Sequence, residues 1–153
     1  MSITPDEVSA HIAGLPDVVA ASAWGETAFF YNPGRKFARG TYFATIKLAD
    51  GDNDRASDLT RAGVWRLNIG TQRATFVSVF GPPPARPAKG ECIKGPWDFT
   101  ALDALTPHPV YGWMAWMAIL SPGEAHWQRC RSLIADAHAR AQTTFEQRLR
   151  RAR

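Results

Sequence analysis

Cysteine is scarce in this 153-residue chain, with only Cys92 and Cys130 present. Two distant cysteines make neither a disulfide framework nor a close metal pair, so free thiols are expected. Long apolar runs are missing as well, and no window approaches the roughly 20 residues that a membrane span needs. The start, MSITPDEVSAHIAGL, carries acidic residues and no cationic n-region, so no signal peptide is expected and the protein should be cytoplasmic. There is no Walker A loop, no G-x-S-x-G, no H-E-x-x-H and no dinucleotide fingerprint. Enzymes built on those motifs are not expected, and neither is a metal or a cofactor.

What the sequence does contain is core material and an uneven charge. With 45% hydrophobic and 21% charged residues, the chain suits one domain, 1–153, that buries about two-thirds of its unfolded surface. Residues 1 to 120 hold 11 basic and 11 acidic side chains, whereas residues 121 to 153 hold seven arginines against Glu124, Asp136 and Glu146. The net charge of +4 therefore resides on the C-terminal segment. Cations there suit a helix C-terminus, and they also offer a handle for phosphates.

Taken in order, Thr4, Pro5 and Glu7 make a capping box for a first helix that ends near Gly14. DVVAASAW and ETAFFYNPG read as two strands of a hairpin around Gly25. TYFATIKLAD reads as a third strand, closed by the Asp50-Gly51 turn signal. Strict alternation puts Tyr42, Ala44, Ile46 and Leu48 on one face and Phe43, Thr45 and Lys47 on the other. VWRLNIG follows as a fourth strand, with Trp65, Leu67 and Ile69 inward and Val64, Arg66 and Asn68 outward.

TQRATFVSVFG has helical spacing and stops at Gly81, after which five prolines make residues 81–96 a surface loop. WDFTALDAL suggests one or two helical turns with Asp98 as N-cap. Residues Val110 to Leu120 read as one strand that is apolar on both faces and therefore central or covered. Ser121-Pro122-Gly123-Glu124 looks like a second capping box, with Ser121 as N-cap. The long helix after it carries its apolar stripe at Cys130, Ile134, Ala137, Ala141 and Phe145. The expected fold is α+β, an antiparallel sheet of about five strands packed against the N-terminal helix and the long C-terminal helix.

DLTRAGVWRLNIG (58–70), WDFTALDALTPHPVYG (97–112) and WMAILSPGEAHW (116–127) resemble an uncharacterised bacterial family, a domain of unknown function. That family's first piece reads close to Leu-Asp-Arg-Pro-Gly-Val-Phe-Arg-Leu-Asn-Ile-Gly; here Ala62 replaces the proline and Trp65 the phenylalanine. More distantly, the layout and Trp116 with its following helix resemble the MmcQ/YjbR proteins, which implies a CyaY-like fold. DNA binding has been suggested for some MmcQ/YjbR-like domains, so the resemblance suggests no more than that class of partner. Neither family supplies a catalytic residue.

Three constellations could carry chemistry. His108 with Tyr111 and Asp103 offers a histidine near a phenol and a carboxylate, the parts of a general base; hydrogen bonds tying a turn are the plainer use of that histidine. Lys47, Arg66 and Asn68, with Thr45, share one sheet face near Tyr111 and Trp113, a set suited to gripping an anionic or planar ligand. A solvated sheet face with cross-strand pairs is the plainer reading. Arg148, Arg150, Arg151 and Arg153 form a basic helix end that could bind nucleic acid without sequence preference. His126 with Cys130 as metal ligands, and Cys92 as a reactive thiol, lack any supporting motif. The greasy strand at 110–120 could also be covered by a second copy of the chain in a homodimer. The expected function is binding, of a small molecule or a partner, rather than catalysis.

Overall fold

The computed structural model describes residues 3–152. Its sheet has six strands rather than about five, in the order β1-β2-β3-β4-β6-β5, with every neighbouring pair antiparallel. The strands are β1 (Val18–Ala23), β2 (Glu26–Tyr31), β3 (Thr41–Lys47), β4 (Arg66–Gly70), β5 (Leu105–Pro107) and β6 (Trp116–Leu120). Three helices accompany them: α1 (Pro5–Ala13), α2 (Arg73–Phe80) and α3 (Glu124–Arg151). No helix among the described residues is long and apolar enough to cross a membrane.

Local signals account for several boundaries. The Thr4 hydroxyl accepts the Glu7 amide at 3.1 Å and starts α1, whose Val8 and Ile12 are fully buried. Trp24 and Gly25 both adopt positive φ, 56° and 74°, which gives the two-residue turn that joins β1 to β2. Gly81, at φ 82°, donates its amide to Val77 and stops α2. Residues 81–96 form no regular element, as five prolines require. The stripe Cys130, Ile134, Ala137, Ala141 and Phe145 is buried on α3, joined by Leu133 and His138. This helix lies across the face of the sheet that carries Phe29, Ala44, Ile46, Leu67, Ile69, Met117 and Ile119.

Four expectations fail, each for a physical reason. The alternation of the third strand breaks at a β-bulge opposite Phe29 and Phe30, where the register jumps from Ala44 to Tyr42. Phe43 therefore joins the helix face and packs against His138, while Tyr42 turns to the opposite face and lies against Trp116. The strand expected from Val110 begins only at Trp116. Before it, His108 accepts two backbone amides, Gly112–Met114 make a 3₁₀ turn, and Ala115 is left-handed at φ 66°.

No helix forms over WDFTALDAL, because the Asp98 carboxylate binds the amide and hydroxyl of Thr100 in a local turn and Leu105–Pro107 pairs with β6. Ser121 is not a helix cap either. Its hydroxyl donates to the Gly63 carbonyl and accepts the Trp65 amide, tying β6 to the start of β4. The N-cap of α3 is Gly123, whose amide is taken by Asp103 at 2.7 Å.

Candidate functional site

The sheet face opposite α3 carries the polar residues. Cross-strand register sets Thr45 beside Asn68 and Lys47 beside Arg66, so the shared face read from the alternation is present. It is not an outer, solvated face. Arg66 and Asn68 are fully buried, Thr45 nearly so, under residues 50–64 and the segment around His108.

Arg66 is the hub of this face. Its Nε donates to Asn68 Oδ1 at 2.7 Å, and Asn68 donates on to the Thr45 hydroxyl at 2.8 Å. Its Nη1 donates to Asp54 Oδ1 at 3.0 Å and to the Ser57 hydroxyl at 2.9 Å, while Nη2 binds Asp54 Oδ2. Burial alone would raise the Asp54 carboxyl; the hydrogen bond and charge of Arg66 override it and hold the group below its ordinary 3.8. A fork-on-carboxylate pair of this kind fixes the 50–57 turn against β4.

His108 fixes a second segment. Its Nδ1 accepts the amides of Val110 and Tyr111, both at 3.0 Å, and its own amide donates to the Trp116 carbonyl. A nitrogen that accepts two N–H groups carries no proton, so the proton of the neutral ring sits on Nε2, 3.4 Å from Arg66 Nη2. Two donors then face each other there, a contact rather than a hydrogen bond. Burial first, and then the charge of Arg66, push the His108 pKa well below 6.5.

Tyr111 packs on the imidazole with ring centroids 5.0 Å apart and is 43% exposed. Asp103, the expected third member, lies instead at the start of α3, bonded to Gly123 and, at 2.9 Å, to His126. His126 is thereby engaged by a carboxylate, and Cys130 is buried on the packing stripe.

The two fastened segments enclose open space. Asp52 to Ala56, Gly90 to Cys92, Lys94 and Val110 line a cleft of about 620 Å³. It adjoins a second of about 300 Å³, because Asn53, Gly90, Glu91 and Val110 line both. Tyr111, Trp113 and Arg86 border the second cleft, and the Arg86 guanidinium lies 4.7 Å above the Trp113 ring. Tyr111 and Trp113 thus belong to the cleft rim, whereas Arg66, Asn68 and Thr45 line neither cleft and are buried behind Asp54.

Lys47 is between these states. It is 9% exposed and makes no hydrogen bond or ion pair among the described residues. Among the described residues no occluded side-chain nitrogen or oxygen lacks a partner, so its ammonium must meet solvent at an opening. Gly51 lies beside it, where an added Cβ would sit 3.3 Å from Nζ. Glu26, its cross-strand neighbour on the same face, forms no ion pair with it and lines a neighbouring groove toward the β1 edge. Tyr42 belongs to the same neighbourhood: burial, then the charges of Glu26 and Tyr111, push its hydroxyl up to about 12.

Sequence reasoning missed Asp54, Ser57, Tyr42 and Arg86 as members. Asp54 and Ser57 lie in a polar connection whose composition marks only a loop, and Tyr42 depends on the bulge.

At the other end of the molecule, Arg148 donates to the Arg39 carbonyl at 2.8 Å and covers the Phe37 ring at 3.8 Å. The contact brings Arg35, Lys36 and Arg39 alongside Arg148, Arg150 and Arg151, all exposed. Arg153 lies outside the described residues.

A family of unknown function, DUF6194, matches residues 3–150 of the chain. No curated protein and no solved structure matches it.

Proposed function

Because the chain belongs to DUF6194, whose members carry no known function, we propose from the site itself that it is a binding domain for a small anionic ligand. The observation that carries this reading is the unpaired ammonium on the covered face. Arg66 is paired with Asp54, whereas Lys47, nearly buried on the next strand, forms no ion pair among the described residues, even with Glu26 across from it. Charges in such surroundings are ordinarily matched, and a nearly buried ammonium at an opening is a ready partner for a carboxylate or phosphate group. Tyr42 and Tyr111 add half-exposed rings in the same neighbourhood.

The geometry favours binding over the general-base role. His108 Nδ1 is spent on two amides, and Nε2 faces a guanidinium. The ring serves as a fastening for the cleft wall. Thermal denaturation in inorganic phosphate, sulfate or citrate, at matched ionic strength, tests the proposal. The native chain should gain stability, by about 2.7 kcal/mol at a hundredfold excess over Kd, and Lys47→Met should lose that gain. If no anion exceeds chloride, or if the variant responds like the native chain, the reading fails.

A second reading, non-specific nucleic-acid binding, has its own support. The fold joins Arg35, Lys36 and Arg39 to the arginines of the α3 terminus, two segments that are far apart in sequence. Six neighbouring cations can displace counterions from a phosphate backbone. Anisotropy of labelled duplex DNA at low salt should report binding that weakens steeply with added salt. An absence of binding at low salt removes this reading and leaves the first untouched.

A further inference from the structure

The two edges of the sheet are built differently. β5 has three residues, ends in Pro107 and is a poor template for another strand. β1 has six, Val18–Ala23, with no charge, no proline and no bulge in its pairing with β2. Natural sheets protect a long edge with lysine, proline, a bulge or a cover; β1 has no lysine, proline or bulge, and although α1 packs against it the strand stands last in the sheet order. At its end the turn holds Trp24 at φ 56° and 98% exposed. A bulky residue is uncommon in the left-handed region.

Beside Trp24 lies a groove of about 520 Å³, with Ala21 and Ala28 lining it between Phe30 and Phe37. Glu26, Arg35 and Arg39 also line this groove, of which Trp24 forms one wall, so an indole knob lies beside a mixed aromatic and charged recess on one surface, as a two-fold, self-complementary contact requires.

We propose that the chain forms a two-fold homodimer by antiparallel pairing of β1 with β1 of a second copy, each Trp24 entering the other's groove. The uncharged strand lets two copies meet without like charges in register. Fourteen residues line the groove and edge. At about 30 Å² each, the average of a standard interface, they bury about 420 Å² per protomer. Trp24 exceeds that average, since an aromatic side chain buries about 150–250 Å². The total comes near 1,000 Å², the lower limit for a specific interface, so the dimer is reversible and of modest affinity.

Sedimentation velocity from low to several hundred micromolar should show the mass rising from one chain to two. Ala21→Lys and Trp24→Ser sit at exposed positions, so both should keep the native circular dichroism and thermal midpoint while staying monomeric. In the native chain, tryptophan emission should shift to the blue with concentration, and Trp24→Ser should abolish the shift. A native chain that is monomeric throughout, or a dimer that persists in either variant, overturns the proposal. So does a monomer that instead takes up an unrelated extended peptide along β1, because a foreign strand would then be the occupant.

Discussion

Replacing Arg66 with methionine would remove the hub of the covered face and leave its partners in place. Asp54 would keep its negative charge, and Ser57 and Asn68 would lose their donor, all under the 50–64 connection. Removing one member of a buried ion pair costs about 3–5 kcal/mol because the other is stranded. Asp54 retains some contact with solvent, its side chain being 16% exposed, so the lower part of that range applies, about 3 kcal/mol. With a urea slope of about 2 kcal/mol per molar, the midpoint of unfolding should fall by about 1.5 M.

The double variant Arg66→Met with Asp54→Leu sharpens the reasoning. It removes both charges, so it should cost less than the two single changes added together. Lys47→Met supplies the contrast: its ammonium has no protein partner, so stability should stay within about 0.5 kcal/mol of the native chain. A single Arg66→Met cost under about 1 kcal/mol, or strict additivity in the double variant, would refute the stranded-charge account.

His108 predicts an acid limb. Its pKa is depressed in the fold and ordinary when unfolded, so as pH drops below about 6.5 the unfolded chain takes up a proton that the folded one refuses. Stability should therefore decline below that pH, by up to about 1.4 kcal/mol per pH unit from this group, and be unaffected by it above. His108→Asn, which can still offer an oxygen to the Val110 and Tyr111 amides, should flatten that limb in urea titrations at several pH values; an unchanged slope would show that another group is responsible. Gly70→Ala places a Cβ 2.6 Å from the Trp116 ring, which lies across β4 to reach Tyr42. It should cost about 1–3 kcal/mol in thermal unfolding, and a neutral result would mean that the indole moves without penalty.

Much of the architecture is legible in local patterns. The Thr4 N-cap, the Gly25 hairpin, the Gly81 stop and the α3 stripe all depend on neighbours within one or two turns of chain, and all are present; of the expected capping box only the Thr4 half forms, since Glu7 accepts from the Thr4 hydroxyl. The site is legible only in part. Period-two spacing put Thr45, Lys47, Arg66 and Asn68 on one face, but it carries no information on what lies above that face. Three of the four failures share a cause: Asp98, Ser121 and His108 each bond to backbone groups in ways that outweigh helix or strand spacing, whereas the third strand fails at a bulge.

By itself, the sequence determined the α+β class, most elements and the apolar stripe that buries α3, because these follow from periodicity and capping. Tertiary structure alone decided that Arg66 is sealed over Asp54 and Ser57, that Asp103 serves α3 instead of His108, and that residues 35–39 meet the arginines of the last helix. Those pairings join segments up to about a hundred residues apart, as in the contact of Arg39 with Arg148. Which loop covers a polar face is settled by the path of the whole chain, and local spacing cannot express it.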